Sequence, residues 1–276
     1  MKQLNETDLK VAVIDHLYAR SMLNDAVLIN EMVVANWSRR ADLAVANGRL
    51  WAFELKSDLD TLARLKGQVE TYQQRFDKVV VVTTERYLAR SASMLPESVG
   101  LWSVEPTLDG RRKVRVVRPG RVEEVRERSA LLGFLLKTEL VALLRSVSKA
   151  ASIEIHRRAL ESQASELPVA TIRRFVLSSL KARYAETFAA FTRARRECTQ
   201  PESLALLSKA KLMLGVEADS TEQQCAKATA PSQRVSLPAT ARALDSTILT
   251  AKYGESQIDI PSYILTRRRP TTGRPL

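Results

Sequence analysis

Apolar side chains recur at helical spacing near the start of the chain, where Leu9, Ala12, Val13, Leu17 and Tyr18 share one face of residues 8–23. Thr7 or Asp8 can open this helix by accepting a backbone N–H of its first turn. The pattern then turns strand-like. Val27, Ile29, Val33 and Val34 mark a strand within residues 27–37, and residues 40–46 and 49–56 are two more apolar runs with Asn47-Gly48 between them. Both residues of an Asn-Gly pair tolerate positive φ, so a two-residue hairpin loop joining antiparallel strands is expected.

Leu62, Leu65, Val69, Tyr72 and Phe76 form one apolar stripe, predicting a helix over residues 61–76 with Asp58 or Asp60 as its cap. The unbroken run at residues 78–84 has the pattern of a strand buried on both faces. A helix at residues 85–94, a strand at 99–104 and an edge strand at 112–118, after an Asp109-Gly110 turn, complete the series. This order predicts an α/β catalytic-type domain with a mixed sheet over residues 1–122. Residues 123–215 read as a helical accessory region, with helices at 128–147, 169–197 and 202–214. From residue 216 to 276 the chain is rich in Ala, Thr, Ser, Gln and Pro with weak periodicity, which predicts a flexible linker and tail. Residues 258–270 regain apolar side chains that could dock onto a domain.

Composition adds bounds. A hydrophobic fraction of 45% and a charged fraction of 27% suit a soluble globular chain. The two cysteines, Cys198 and Cys225, form no CxxC or Cys/His cluster, so a reducing cytoplasm is expected and a zinc site is not. The polar, acidic start argues against a signal peptide, and no apolar run approaches the ~18 residues of a membrane span. The net charge of +12 divides into +3 over residues 1–120 and +9 over residues 121–276. Such an excess favours nucleic acid as a partner but does not establish it. Arg173, Arg174, Lys181, Arg183, Arg193, Arg195 and Arg196 in one helix give either a solvated face or a phosphate-facing one.

The candidate chemistry lies on the hairpin. Residues two apart on a strand share a face, so Glu54 and Lys56 point the same way. Asp42 lies on the partner strand. With a two-residue loop, Ala46 faces Arg49 and Asp42 faces Phe53, leaving Asp42 diagonal to Glu54. A bulge or strand divergence would be needed to bring the two carboxylates onto one face. Carboxylates a few ångströms apart repel unless a cation lies between them, and their hard oxygens suit Mg²⁺ or Mn²⁺. A lysine beside them can orient a water and stabilise charge on an attacked phosphate. His16 reads as a partly buried helix side chain and His156 as solvated, so histidine-based hydrolysis has little to work with.

Arg40-Ala41-Asp42, then Glu54-Leu55-Lys56, then Gln68-Val69-Glu70-Thr71-Tyr72 on a helix resemble the PD-(D/E)XK nuclease superfamily, which includes type II restriction endonucleases and Holliday-junction resolvases. Residues 53–65 also resemble a bacterial subgroup, largely uncharacterised, whose members carry a helical C-terminal region. Ala41 stands where the family motif has proline. The resemblance implies a restriction-endonuclease-like mixed sheet flanked by helices. It implies that Asp42 and Glu54 bind a divalent metal, Mg²⁺ or Mn²⁺, with the Leu55 carbonyl as a further ligand. Lys56 would be the catalytic lysine, Gln68 would sit beside the site and Glu31 would complete the metal environment. Tyr72 reads as core. The expected function is a metal-dependent nuclease acting on phosphodiester bonds, DNA favoured. A homodimer fits the same resemblance, and a third option is a toxin or phage-defence effector that needs a phage-defence or DNA-processing partner. The alternative is a non-catalytic nucleic-acid-binding or partner-binding protein that keeps the fold.

Overall fold

The computed structural model describes residues 3–34, 39–107, 111–147, 151–153, 155–208, 241–243 and 263–265. The first helix, α1 (Glu6–Ala19), starts one turn earlier than the apolar stripe suggests. Asn5 is its cap: Asn5 accepts from the Asp8 N–H, while Asp8 accepts from the Asn5 N–H in return. Strands β1 (Val27–Val34), β2 (Arg39–Ala46) and β3 (Leu50–Lys56) follow. Next come α2 (Leu65–Gln73), β4 (Lys78–Thr84), α3 (Glu85–Met94), β5 (Gly100–Pro106) and β6 (Arg112–Arg118). The six strands form one mixed sheet in chain order, antiparallel except for the parallel pairs β3–β4 and β4–β5.

Helix α2 is shorter than its apolar stripe, and neither acid caps it: Asp58 accepts from the Leu4 N–H and Asp60 from the Ser57 N–H. The expected Asp109-Gly110 turn lies outside the described residues.

The sheet separates two apolar clusters. Ile29, Ala44, Ala46, Leu50, Ala52 and Val81 face a side covered by α2 and by the helices that follow β6. Leu28, Leu43, Val45, Phe53, Val80, Val82 and Trp102 face the other side, covered by α1. A parallel strand such as β4 must be apolar on both faces for this reason.

The later helices are α4 (Arg128–Leu132), α5 (Lys137–Ser146), α6 (Arg157–Ala164) and α7 (Val169–Ala194), followed by a 3-10 turn at Pro201–Leu207. The helix expected at residues 128–147 is broken at Gly133, between α4 and α5. Helix α6 has few apolar residues to signal it; only Leu160 and Ala164 are buried. Leu131, Leu144, Leu160, Ile172, Val176 and Leu180 all join the first cluster. The boundary expected at residue 122 therefore falls inside a single compact unit, Met1–Thr221. A second unit, Glu222–Leu276, contains a two-stranded antiparallel ladder, β7 (Ala241–Ala243) with β8 (Tyr263–Leu265). Most of the expected linker and tail lies outside the described residues. No helix among the described residues is long and apolar enough to cross a membrane.

Candidate active site

The β2–β3 turn corrects the expected register. Ala46 pairs with Leu50, so the loop holds three residues, Asn47, Gly48 and Arg49. Gly48 adopts φ 92°, the Asn47 N–H donates to the Arg49 carbonyl at 3.1 Å, and the Asn47 side chain donates to the Met22 carbonyl at 3.1 Å. With Leu43 opposite Phe53, the next step sets Asp42 opposite Glu54 rather than diagonal to it. Residues opposite one another across antiparallel strands share a face, so the carboxylates need no bulge to align.

The β2–β3 ladder ends at Leu43 and Phe53, whereas β2 stays paired with β1 as far as Arg39. The strands therefore fork, and Asp42 lies in the fork. Its Oδ2 accepts the Leu55 N–H at 2.7 Å, replacing the strand carbonyl that a continued ladder would offer. Leu55 thus meets the site through its N–H.

Glu54 is 1% exposed. Its Oε1 accepts from Lys56 Nζ at 2.6 Å and from Gln68 Nε2, and its Oε2 accepts from the Tyr72 hydroxyl at 3.0 Å. Gln68 therefore turns inward from α2 to Glu54. Tyr72, read from the sequence as core, is both buried and polar in its contacts. Its hydroxyl also donates to the Arg40 carbonyl at 2.7 Å, bridging β2 and β3 across the fork. The signal was available: Tyr72 lies four residues after Gln68, on the same helix face.

Glu31 sits opposite Asp42 in the β1–β2 register, at the one position the ladder skips. Its φ of 55° is left-handed, costing on the order of 1–2 kcal/mol for a residue with a Cβ. The alternation slips there, so that Ile29 and Met32 face the same cluster. The Glu31 carboxylate is held by Arg40 at 3.1 Å and Lys10 at 3.4 Å, and Lys10 also pairs with Glu6 at 2.8 Å. Lys10 is a buried cation at the site's margin that sequence reasoning missed, since it interrupts an apolar helix face.

Burial sets the electrostatics. It raises the Asp42 carboxyl from 3.8 to about 7, with Glu54 as the second cause and the Leu55 N–H opposing. Burial also raises Glu54, against the pull of Lys56, Tyr72 and Gln68. The Tyr72 hydroxyl is raised by burial and then by Glu54, so it stays a donor. His16, edge-on to Trp102 at 5.0 Å, is lowered by burial and by Arg20, away from the charged form a base would need to cycle through.

These residues fit a hard divalent cation. Two mutually repelling carboxylates, half-buried Asp42 and buried Glu54, gain by sharing one, and Gln68 Oε1 is a buried oxygen with no hydrogen-bond partner. Among the described residues no three His, Cys, Asp or Glu side chains form a metal cage. Asp42 and Glu54 would hold the ion with non-carboxylate oxygens making up the set.

The basic helix divides. Arg173 binds Asp77, Arg183 binds Glu139 and Arg195 binds Asp15, so these three serve packing. Arg174, Arg193 and Arg196 are exposed or partly exposed.

A family model described as "Bacteriophage P4 protein cII" matches residues 1–208. The chain is 44% identical over 211 residues to "Protein cII" of Enterobacteria phage P4, covering 75% of this chain and 79% of that relative. A solved structure of a protein of unknown function from Silicibacter pomeroyi shares 21% identity over 55% of this chain and 99% of its own, with a TM-score of 0.36.

Proposed function

We propose that this chain, which belongs to the bacteriophage P4 protein cII family, is a divalent-metal-dependent nuclease with a restriction-endonuclease-like fold that hydrolyses phosphodiester bonds, DNA favoured. The observation that carries the reading is the fork: half-buried Asp42 set across from fully buried Glu54, with Asp42 raised to about 7 and Lys56 on Glu54 at 2.6 Å. Burying like charges together is unfavourable for folding alone and suits a site that receives a cation.

Asp42, Glu54 and the unpartnered Gln68 oxygen would hold Mg²⁺ or Mn²⁺. When bound, the ion supplies Lewis-acid charge to the phosphate. Gln68 and Tyr72 hold the Glu54 carboxylate from two sides, and Tyr72 sets the fork's width through the Arg40 carbonyl. Lys56 presents an ammonium that orients a water and stabilises charge on the attacked group. Arg40, which is exposed, offers positive charge to a neighbouring phosphate.

The test is nicking of supercoiled DNA with Mg²⁺ or Mn²⁺ by wild type, Asp42→Ala and Lys56→Ala. Cleavage by the wild type alone is expected, and equal activity in all three sinks the reading. One observation favours a non-catalytic binding module instead: Lys56 already neutralises Glu54 without a cation. Such a protein would bind DNA with steep salt dependence and cut none.

A further inference from the structure

Three residues beyond Lys56, Leu59 stands 68% exposed on a loop that is otherwise tied down on both sides. Asp58 accepts the Leu4 N–H at 2.8 Å and the Thr84 hydroxyl at 2.6 Å, and its own N–H donates to the Leu4 carbonyl at 3.0 Å. The Asp58 carbonyl accepts from Arg86 at 2.7 Å. Asp60 accepts from the Ser57 N–H at 2.9 Å and the Ser57 hydroxyl at 2.5 Å, and its carbonyl accepts from Tyr87 at 2.6 Å. Even the Leu59 N–H is engaged, by Ser57 Oγ at 3.3 Å.

An exposed leucine on a loose loop needs no explanation. One held in place by this many bonds while 68% of it stays exposed is different, because the bracing does little for its own burial. The loop's two carboxylates are occupied by protein donors, while Arg86, bonded to the Asp58 carbonyl, and Arg64 and Lys66, a few residues further along the chain, are exposed. The surface offered is an apolar tip with the Arg86 cation beside it, complementary to stacked bases on a polyanion. Chain length places it within about 11 Å of Lys56, roughly three base steps.

We propose that Leu59 is a wedge that contacts a nucleobase, so that the site acts on nucleic acid whose stack is opened beside the phosphodiester to be cut. The proposal rests on the nuclease reading for its cutting step. Apolar side chains inserted at a base step unstack it and kink the duplex. A paired substrate needs that help, whereas a single strand does not.

The experiment uses the full chain with a single strand and a duplex of the same sequence, each carrying 2-aminopurine, whose emission rises on unstacking. Leu59→Ala should leave single-strand cleavage in Mn²⁺ within about twofold and slow duplex cleavage about tenfold or more, as expected for a lost unstacking wedge. With Ca²⁺ replacing Mn²⁺, duplex emission should rise on binding wild type and Leu59→Met, and not on binding Leu59→Ala. An unchanged melting temperature controls for folding.

Equal slowing of both substrates, or no change in either, overturns the wedge. So does a loss of self-association in Leu59→Ala with emission unaltered, which would make the tip a protein contact. If wild type cuts nothing yet shows the Leu59-dependent emission rise, the wedge stands and the nuclease reading falls. If wild type cuts and emission ignores Leu59, only the wedge falls.

Discussion

Two acidic sites lie at opposite ends of β3, and they are built on opposite principles. At the start of the strand, Asp77, only 2% exposed, accepts from the Leu50 N–H at 2.7 Å, the Val125 N–H at 3.0 Å and both Arg173 Nη atoms at 2.7 and 2.5 Å. Its backbone adds bonds to Leu50 and Glu123. One carboxylate thereby ties β3, β4, the segment after β6 and α7 together, and every lone pair has a donor. At the far end, Asp42 faces Glu54, a like charge, with its own carboxyl pushed to about 7. Buried charge that is fully satisfied reads as structure. Buried charge set against itself reads as a place for something else to bind.

Breaking the first site should have the largest effect. Asp77→Ala leaves Arg173, whose side chain is 12% exposed, without its main partner and strands two buried N–H groups. Removing one partner of a buried ion pair costs about 3–5 kcal/mol, readable as a lowered urea midpoint. Asp42→Asn should do the reverse to stability: the amide oxygen still accepts from Leu55, the repulsion is gone, and the metal-free midpoint at pH 8 should hold or rise. A fall comparable to that of Asp77→Ala would erase the distinction between the two sites.

The same Asp42→Asn should cut metal-dependent cleavage by about 10²–10³-fold, the scale of losing one preorganised electrostatic contact at a reacting phosphate. Nicking rates at saturating Mg²⁺ check this. Activity kept with stability raised would leave Asp42 a strained residue without a task.

The sequence made one of these sites far easier to see than the other. Glu54 and Lys56 are linked by strand periodicity, and Gln68 lies on the next helix at a position the resemblance picks out. Strand β4 lies where its apolar run predicts, because an unbroken run of this kind reports burial on both faces directly. Asp42 was misplaced by one residue because Asn47-Gly48 is also compatible with a three-residue loop, and register depends on that single count. Asp77 was invisible. Its partner Arg173 is 96 residues away, and nothing local distinguishes a buried acid from an exposed one. The charges of α7 and its C-terminal cap misled for the same reason: Arg173, Arg183 and Arg195 are each matched to an acid distant in sequence.

Tyr72 belongs to both worlds and sharpens the contrast. Its single proton serves the Arg40 carbonyl and Glu54 Oε2, so Tyr72→Phe strands buried acceptors at a cost of about 1–3 kcal/mol. A purely structural tyrosine would change the urea midpoint and leave metal affinity unchanged. As a brace on Glu54 it should also weaken Mn²⁺ binding in titration calorimetry, with the pH dependence of binding shifted upward because Glu54 loses a donor that favours its charged form.

The smallest effect is the most specific to the fork. Between 3.8 and about 7, folded Asp42 holds its proton more tightly than the unfolded chain does, so metal-free stability should fall as pH rises through that window. Asp42→Asn removes this slope, and parallel urea midpoints for the two proteins from pH 4 to 7 would count against a shifted Asp42. Metal binding must expel the same proton. Affinity for Mn²⁺ should therefore climb about tenfold per pH unit up to the Asp42 pKa and then level off. In Asp42→Asn it should be weaker and nearly flat. A Mn²⁺ profile that flattened near pH 4 would place the site's controlling proton elsewhere.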